Sequence, residues 1–155
     1  MGMAALLASA LWLGGCEAAQ RPPSAKFPED LGPDAIPYEQ LMTYPPEMQA
    51  NYVVFAKRCS KCHTPARPLN SAYASQEMWA RYVTKMWRKT GSGISHEDAK
   101  RILAFLIYDS KVRKLDRRQE FEAHRRQLFE AFKAKDPQAF DQRYGRDAES
   151  AIALK

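Results

Sequence analysis

The sequence predicts an all-α fold, and three stretches carry that prediction. Tyr52, Phe55 and Cys59 fall at i, i+3 and i+7 behind Pro46, a good first helical residue, so a helix of about three turns ends at Cys59. Trp79, Tyr82, Val83, Met86 and Trp87 make an apolar stripe on a second helix, from about Gln76 to Lys89. Ser95 caps a third, with Asp98 three residues on. Ala99, Ile102, Leu103 and Leu106 are its inner face, and Phe105 and Tyr108 add bulk at its end. No segment reads as a strand.

At 155 residues the chain holds one domain plus extensions. Hydrophobic content of 45% with 11% aromatics suffices for a core and excludes wholesale disorder. The formal charge of +6 is unevenly spread: −4 over residues 17–52, +6 over 53–110 and +4 over 111–155. No basic run is interleaved with aromatics as in a nucleic-acid reader, so nucleic acid is not an expected partner. With three cysteines, two of them close together, there is no disulfide framework.

Those two sit in Cys59-Ser60-Lys61-Cys62-His63. C-x-x-C-H is the spacing at which two thiols near a helix end reach both vinyl groups of one porphyrin, with the histidine placed under the iron. A four-thiolate zinc site would need a second pair, and only Cys16 remains. A thioredoxin-like pair would need a βαβ setting. One covalently attached haem c is therefore the expected cofactor. The next residues, Thr64 to Asn70, hold two prolines and no period, and read as a loop. A carbonyl from it, Pro65 or Pro68, is expected to take the second ring N–H of His63. Arg67 is a candidate partner for a haem propionate.

The order of aromatic helix, C-x-x-C-H, loop, helix, glycine loop (Thr90–Gly93) and apolar helix resembles the small monohaem class I cytochromes c over roughly residues 46–110. The resemblance is specific at Cys59, Cys62 and His63 and generic elsewhere. It implies that the first and last helices cross and that a methionine between motif and last helix is the sixth iron ligand. Met86 lies mid-stripe and Met78 at the stripe's edge, so Met86 is the expected ligand and Met78 the second choice. Met86 departs from the family pattern in reading as mid-helix rather than on a loop just before the last helix. His96 is the bis-histidine alternative, but it falls in the first turn of a capped helix, where exposure is expected.

Residues 3–13 form an uncharged apolar run of signal-peptide length, ending in Leu13-Gly14-Gly15-Cys16. This resembles the bacterial lipoprotein signal, and implies a lipid on Cys16 and a place on the periplasmic side of a membrane; the alternative is an ordinary cleaved secretory signal with an incidental cysteine and a soluble periplasmic protein. No Lys or Arg precedes the run, which departs from that pattern. The organisation read from the sequence is thus 1–15 signal peptide, 16–45 lipidated terminus and Pro-rich segment, 46–110 haem domain, and 111–155 charged helical tail. The Pro-rich segment reads either as a tether or as a loop wrapping the domain through Tyr38, Leu41 and Tyr44. In the tail, Leu115, Phe121, Leu128, Phe129 and Phe132 make a narrow stripe, Glu122 and Arg126 form an i, i+4 pair, and Asp136-Pro137 starts a short helix closed by Gly145. It reads as a solvated helix packed by one edge on the domain.

The resemblance implies a one-electron carrier rather than an enzyme. Lys57, Arg58, Lys61, Arg67, Lys85, Arg88 and Lys89 suggest a basic rim for acidic redox partners. The alternatives are a fixed subunit of a respiratory or photosynthetic complex docked through the tail, an open-site enzyme or gas sensor, and a structural lipoprotein without haem.

Overall fold

The computed structural model describes residues 25–155; the apolar run and Cys16 lie outside them. The described chain is helical, with no strand among its residues. Its α-helices are α1 (Tyr38–Leu41), α2 (Pro46–Cys59), α3 (Ala66–Leu69), α4 (Gln76–Trp87), α5 (His96–Asp109), α6 (Arg118–Lys135), α7 (Pro137–Arg143) and α8 (Ala148–Ile152). None is long and apolar enough to cross a membrane.

Local chemistry sets the ends of the long helices. Pro46 opens α2, where a missing N–H costs nothing. Ser75 caps α4 by accepting from the Met78 N–H. Ser95 and Asp98 make a reciprocal capping box at the start of α5, with bonds of 3.0 Å each way. Between α4 and α5 the chain turns through Gly91 and Gly93, at φ 78° and 62°, which only glycine adopts without strain.

α2 packs on α5, and α4 packs on α5 from another side. The core where they meet holds Phe55, Leu69, Trp79, Val83, Ile102, Phe105 and Leu106. The Phe55 and Phe105 rings are 4.9 Å apart and fully buried. The first and last helices of residues 46–110 thus pack on one another. Trp79 is core, but Trp87 is 36% exposed at the helix end.

The expected loop after His63 contains the single turn α3, whose Ala66, Pro68 and Leu69 are buried. Proline fits there because the first-turn N–H groups have no intrahelical acceptor to lose. Residues 26–45 are packed against the helices rather than extended as a tether. Tyr44 is buried and donates to Asp109 at 2.9 Å, and Ile36 is also buried. Tyr38, at 70% exposure, takes no part in this packing.

The tail departs most from its sequence reading. α5 does not stop at Asp109 but runs on as a π-helical turn over Ser110–Leu115, which turns Lys114 inward and leaves Leu115 exposed. Lys114 is fully buried, and its ammonium donates to the carbonyls of Ser71 and Tyr73 at 2.9 Å each. Arg125 is 1% exposed and joins four parts of the chain: it donates to Ile152 O at 2.8 Å, Ala151 O at 2.6 Å, Glu29 Oε1 at 3.1 Å, and the Asn70 carbonyl. A second apolar cluster, Phe129, Phe132, Phe140 and Ile152, fills the space between α6, α7 and α8. The expected Glu122–Arg126 pair does not form. Arg126 bonds Glu149 and Glu122 bonds Arg118, because the C-terminal segment folds back beside α6. Asp136 caps α7 as expected, accepting from Ala139 N–H at 3.0 Å.

Candidate haem-attachment site

α2 delivers Cys59 in its last turn, and the chain then turns through Ser60 to His63. Cys59 is mostly buried and Cys62 exposed; both are free thiols. Burial, with a smaller contribution from Cys62, pushes the Cys59 thiol up to about 12. His63 donates its Nδ1–H to the Thr64 carbonyl at 2.9 Å. A carbonyl can only accept, so Nε2 keeps its lone pair for a metal. The acceptor is the histidine's immediate neighbour, not Pro65 or Pro68. Burial holds the His63 imidazole below its ordinary pKa, which also favours the neutral ring.

Cys59, Cys62, His63 and Met86 line one cleft, together with Arg58, Lys89, Ser92 and Ile94. Met78 is not among its walls. Both methionines line an adjoining cleft of about 360 Å³ with Tyr73, Arg81, Tyr82 and Lys85, so Met86 is the wall common to the two. His96 is exposed, its ring 5.4 Å from that of Trp87, and it lines neither cleft. Lys61 folds over the glycine loop: a Cβ on Gly93 would lie 2.6 Å from its Nζ.

Arg67 is engaged within the chain. It donates to both carboxylate oxygens of Asp30, at 2.9 and 2.7 Å, and lies 4.5 Å over the Phe27 ring. Burial raises the Asp30 carboxyl, but the Arg67 bonds and the backbone N–H groups of Lys26 and Phe27 outweigh it and hold the group below its ordinary 3.8. Of the other six basic residues near the motif, Arg58 is paired with Asp98 at 2.8 Å. Lys57, Lys61, Lys85, Arg88 and Lys89 make no salt bridge among the described residues.

The donor set suits a haem. Two thiols and a histidine with a free Nε2 face the thioether of a residue on a different helix. Among the described residues no three His, Cys, Asp or Glu side chains gather as ligands of a bare metal ion. The cleft they share has room for only about 30 Å³, far below the roughly 300–1,000 Å³ of enclosed ligand sites. A larger space adjoins it at Met86 and runs beside Tyr82 and Lys85 of α4.

Sequence reasoning read Tyr82 as a stripe residue and missed its place beside the site, although it stands one helical turn before Met86 on the same face. Ser92 and Ile94 reach the cleft from the loop between α4 and α5, and no local pattern marks them. Compared with known proteins, the chain matches no family model, no curated protein and no solved structure.

Proposed function

We propose that the chain is a monohaem c-type cytochrome that carries single electrons between redox partners. The observation that supports this best is the cleft shared by Cys59, Cys62, His63 and Met86, drawn from two helices and a loop around one point. Cys59 and Cys62 would hold the haem through thioethers, with His63 and Met86 as the two axial groups. When bound, such a haem supplies reversible one-electron exchange, with a potential raised by the methionine. The chain's part is to orient the His63 ring through Thr64, to shield one side with α4, and to leave the Cys62 edge open to a partner. With both axial positions filled there is no place for a substrate, which favours a carrier over an enzyme or gas sensor.

Lys57, Lys61, Arg88 and Lys89 around the motif suit an acidic docking surface on the partner and association that weakens with salt. The lipoprotein-like N-terminal sequence suits a periplasmic, membrane-anchored location. A fixed subunit docked through its tail is the alternative. It would need the tail's apolar face, and Phe121, Leu128, Phe129 and Phe132 are all buried against the chain's own residues.

The test is an optical spectrum of the purified protein beside Met86→Ala, oxidised and reduced. A covalent low-spin haem with the weak near-infrared band of sulfur on ferric iron, lost in the variant, is the expected result. A band that survives in the variant moves the ligand to Met78. A high-spin wild type points to an open-site enzyme or sensor, and a colourless one to a protein without haem.

A further inference from the structure

Two buried polar side-chain atoms among the described residues have no hydrogen-bond partner: Thr64 Oγ1 and the Tyr82 hydroxyl. Folded proteins pair nearly all such groups, so each exception calls for a reason, a ligand among them. Thr64 is not among the walls of the clefts around Met86 and Tyr82, and only its carbonyl is used, to orient the His63 ring. Tyr82 has no such task.

The Tyr82 ring cannot turn to find an acceptor of its own. It is wedged edge-to-face against Tyr73 and Trp79, with centroids 5.8 and 5.6 Å away. Trp79 is pinned in turn by its indole N–H, which donates to Ser110 Oγ at 2.7 Å. Tyr82 is also the wall between two clefts. One is the space of about 360 Å³ that continues from Met86. The other, of about 430 Å³, is lined by Phe27, Arg67, Tyr73 and Lys85 among others. Lys85, one turn along α4 from Tyr82, lines both and makes no salt bridge among the described residues. The two side chains thus bring a phenol O–H and an ammonium to one place, with no acid of the described chain bonded to either. Of the acidic side chains on that side, Glu29 lines the second cleft and is held by Arg125, and Asp30 is held by Arg67.

We propose that the Tyr82 hydroxyl and the Lys85 ammonium, rather than Arg67, hold the carboxylate side chains of the haem. This rests on the haem reading above. A carboxylate accepts from both donors, pairs the buried hydroxyl and neutralises the free cation, and charge-assisted bonds of this kind are the strong ones. Arg67 is left to its own task, closing the N-terminal turn onto the loop after His63. Tyr82 and Lys85 are positioning residues and do not touch the iron.

The experiment compares the haem-loaded full chain with its Tyr82→Phe, Lys85→Gln and Arg67→Gln variants. The readouts are the propionate-bending bands in resonance Raman spectra and the reduction potential. Phenylalanine keeps the ring stack, so Tyr82→Phe is expected to stay low-spin, to shift a propionate band and to lower the potential. Lys85→Gln is expected to lower the potential as well, since a lost cation leaves the ferric state favoured. Arg67→Gln is expected to leave the bands in place. Bands and potential unmoved in both Tyr82→Phe and Lys85→Gln would overturn the assignment while leaving a coloured cytochrome. So would a band shift confined to Arg67→Gln. A colourless wild type would overturn the assignment and the haem reading together.

Discussion

Arg125→Met is the substitution most revealing of how the tail is held. The methionine keeps much of the apolar stem but removes every donor. In the wild type the guanidinium, 1% exposed, bonds three backbone carbonyls and the Glu29 carboxylate. Removing one partner of a buried ion pair costs about 3–5 kcal/mol, because the other charge stays behind without a counter-ion. Glu29 is itself only 14% exposed, so water relieves little of this. The three carbonyls add to the loss unless water reaches them. A destabilisation of about 4 kcal/mol is therefore expected, a large part of the roughly 5–15 kcal/mol that holds a domain together. For a chain of this size, about 2–4 °C per kcal/mol makes a fall of roughly 8–16 °C in Tm. The assay is urea and thermal unfolding of the purified full chain, followed by far-ultraviolet circular dichroism. Arg125→Lys restores the charge but not the planar fork, and should recover about half of the loss. A Met variant within about 1 kcal/mol of wild type would refute the idea that one residue fastens α6, α8 and the Glu29 turn to Asn70.

Two further predictions concern local devices. Ser95→Ala breaks the capping box of α5 and should cost about 1 kcal/mol in urea unfolding; a change under about 0.3 kcal/mol would mean that tertiary packing alone sets that helix end. Asp30 has a folded pKa below its ordinary 3.8, so its contribution is complete above that value and is lost as pH falls through the lower folded value. The urea midpoint should thus drop below about pH 3.8, and Asp30→Asn should flatten that drop while weakening the protein at neutral pH. An acid profile identical to wild type would show that Arg67 and Asp30 are not coupled in folding.

What the sequence determined by itself is the part whose causes are local. The three principal helices follow from apolar periods, from Pro46 and from the Ser75 and Ser95 caps, which act within one turn of the residues they end. The C-x-x-C-H pattern is legible for the same reason, since it spans only five consecutive residues. The helix period alone puts Met86 mid-stripe and Met78 at its edge, and the structure places Met86 in the cleft with Cys59, Cys62 and His63.

What only the tertiary structure decided depends on groups far apart in the chain. Arg125 meets Glu29 across 96 residues, Arg67 meets Asp30 across 37, and Lys114 reaches the Tyr73 carbonyl across 41. In the sequence each of these cations looks like ordinary surface charge. A buried cation is stable only where carbonyls and carboxylates converge on it, and no pattern of neighbouring residues records that convergence. The same holds for Tyr82. Its apolar spacing puts it on the inner face of α4, but that its hydroxyl lies unpaired between two clefts follows only from the rings of Tyr73 and Trp79 closing around it.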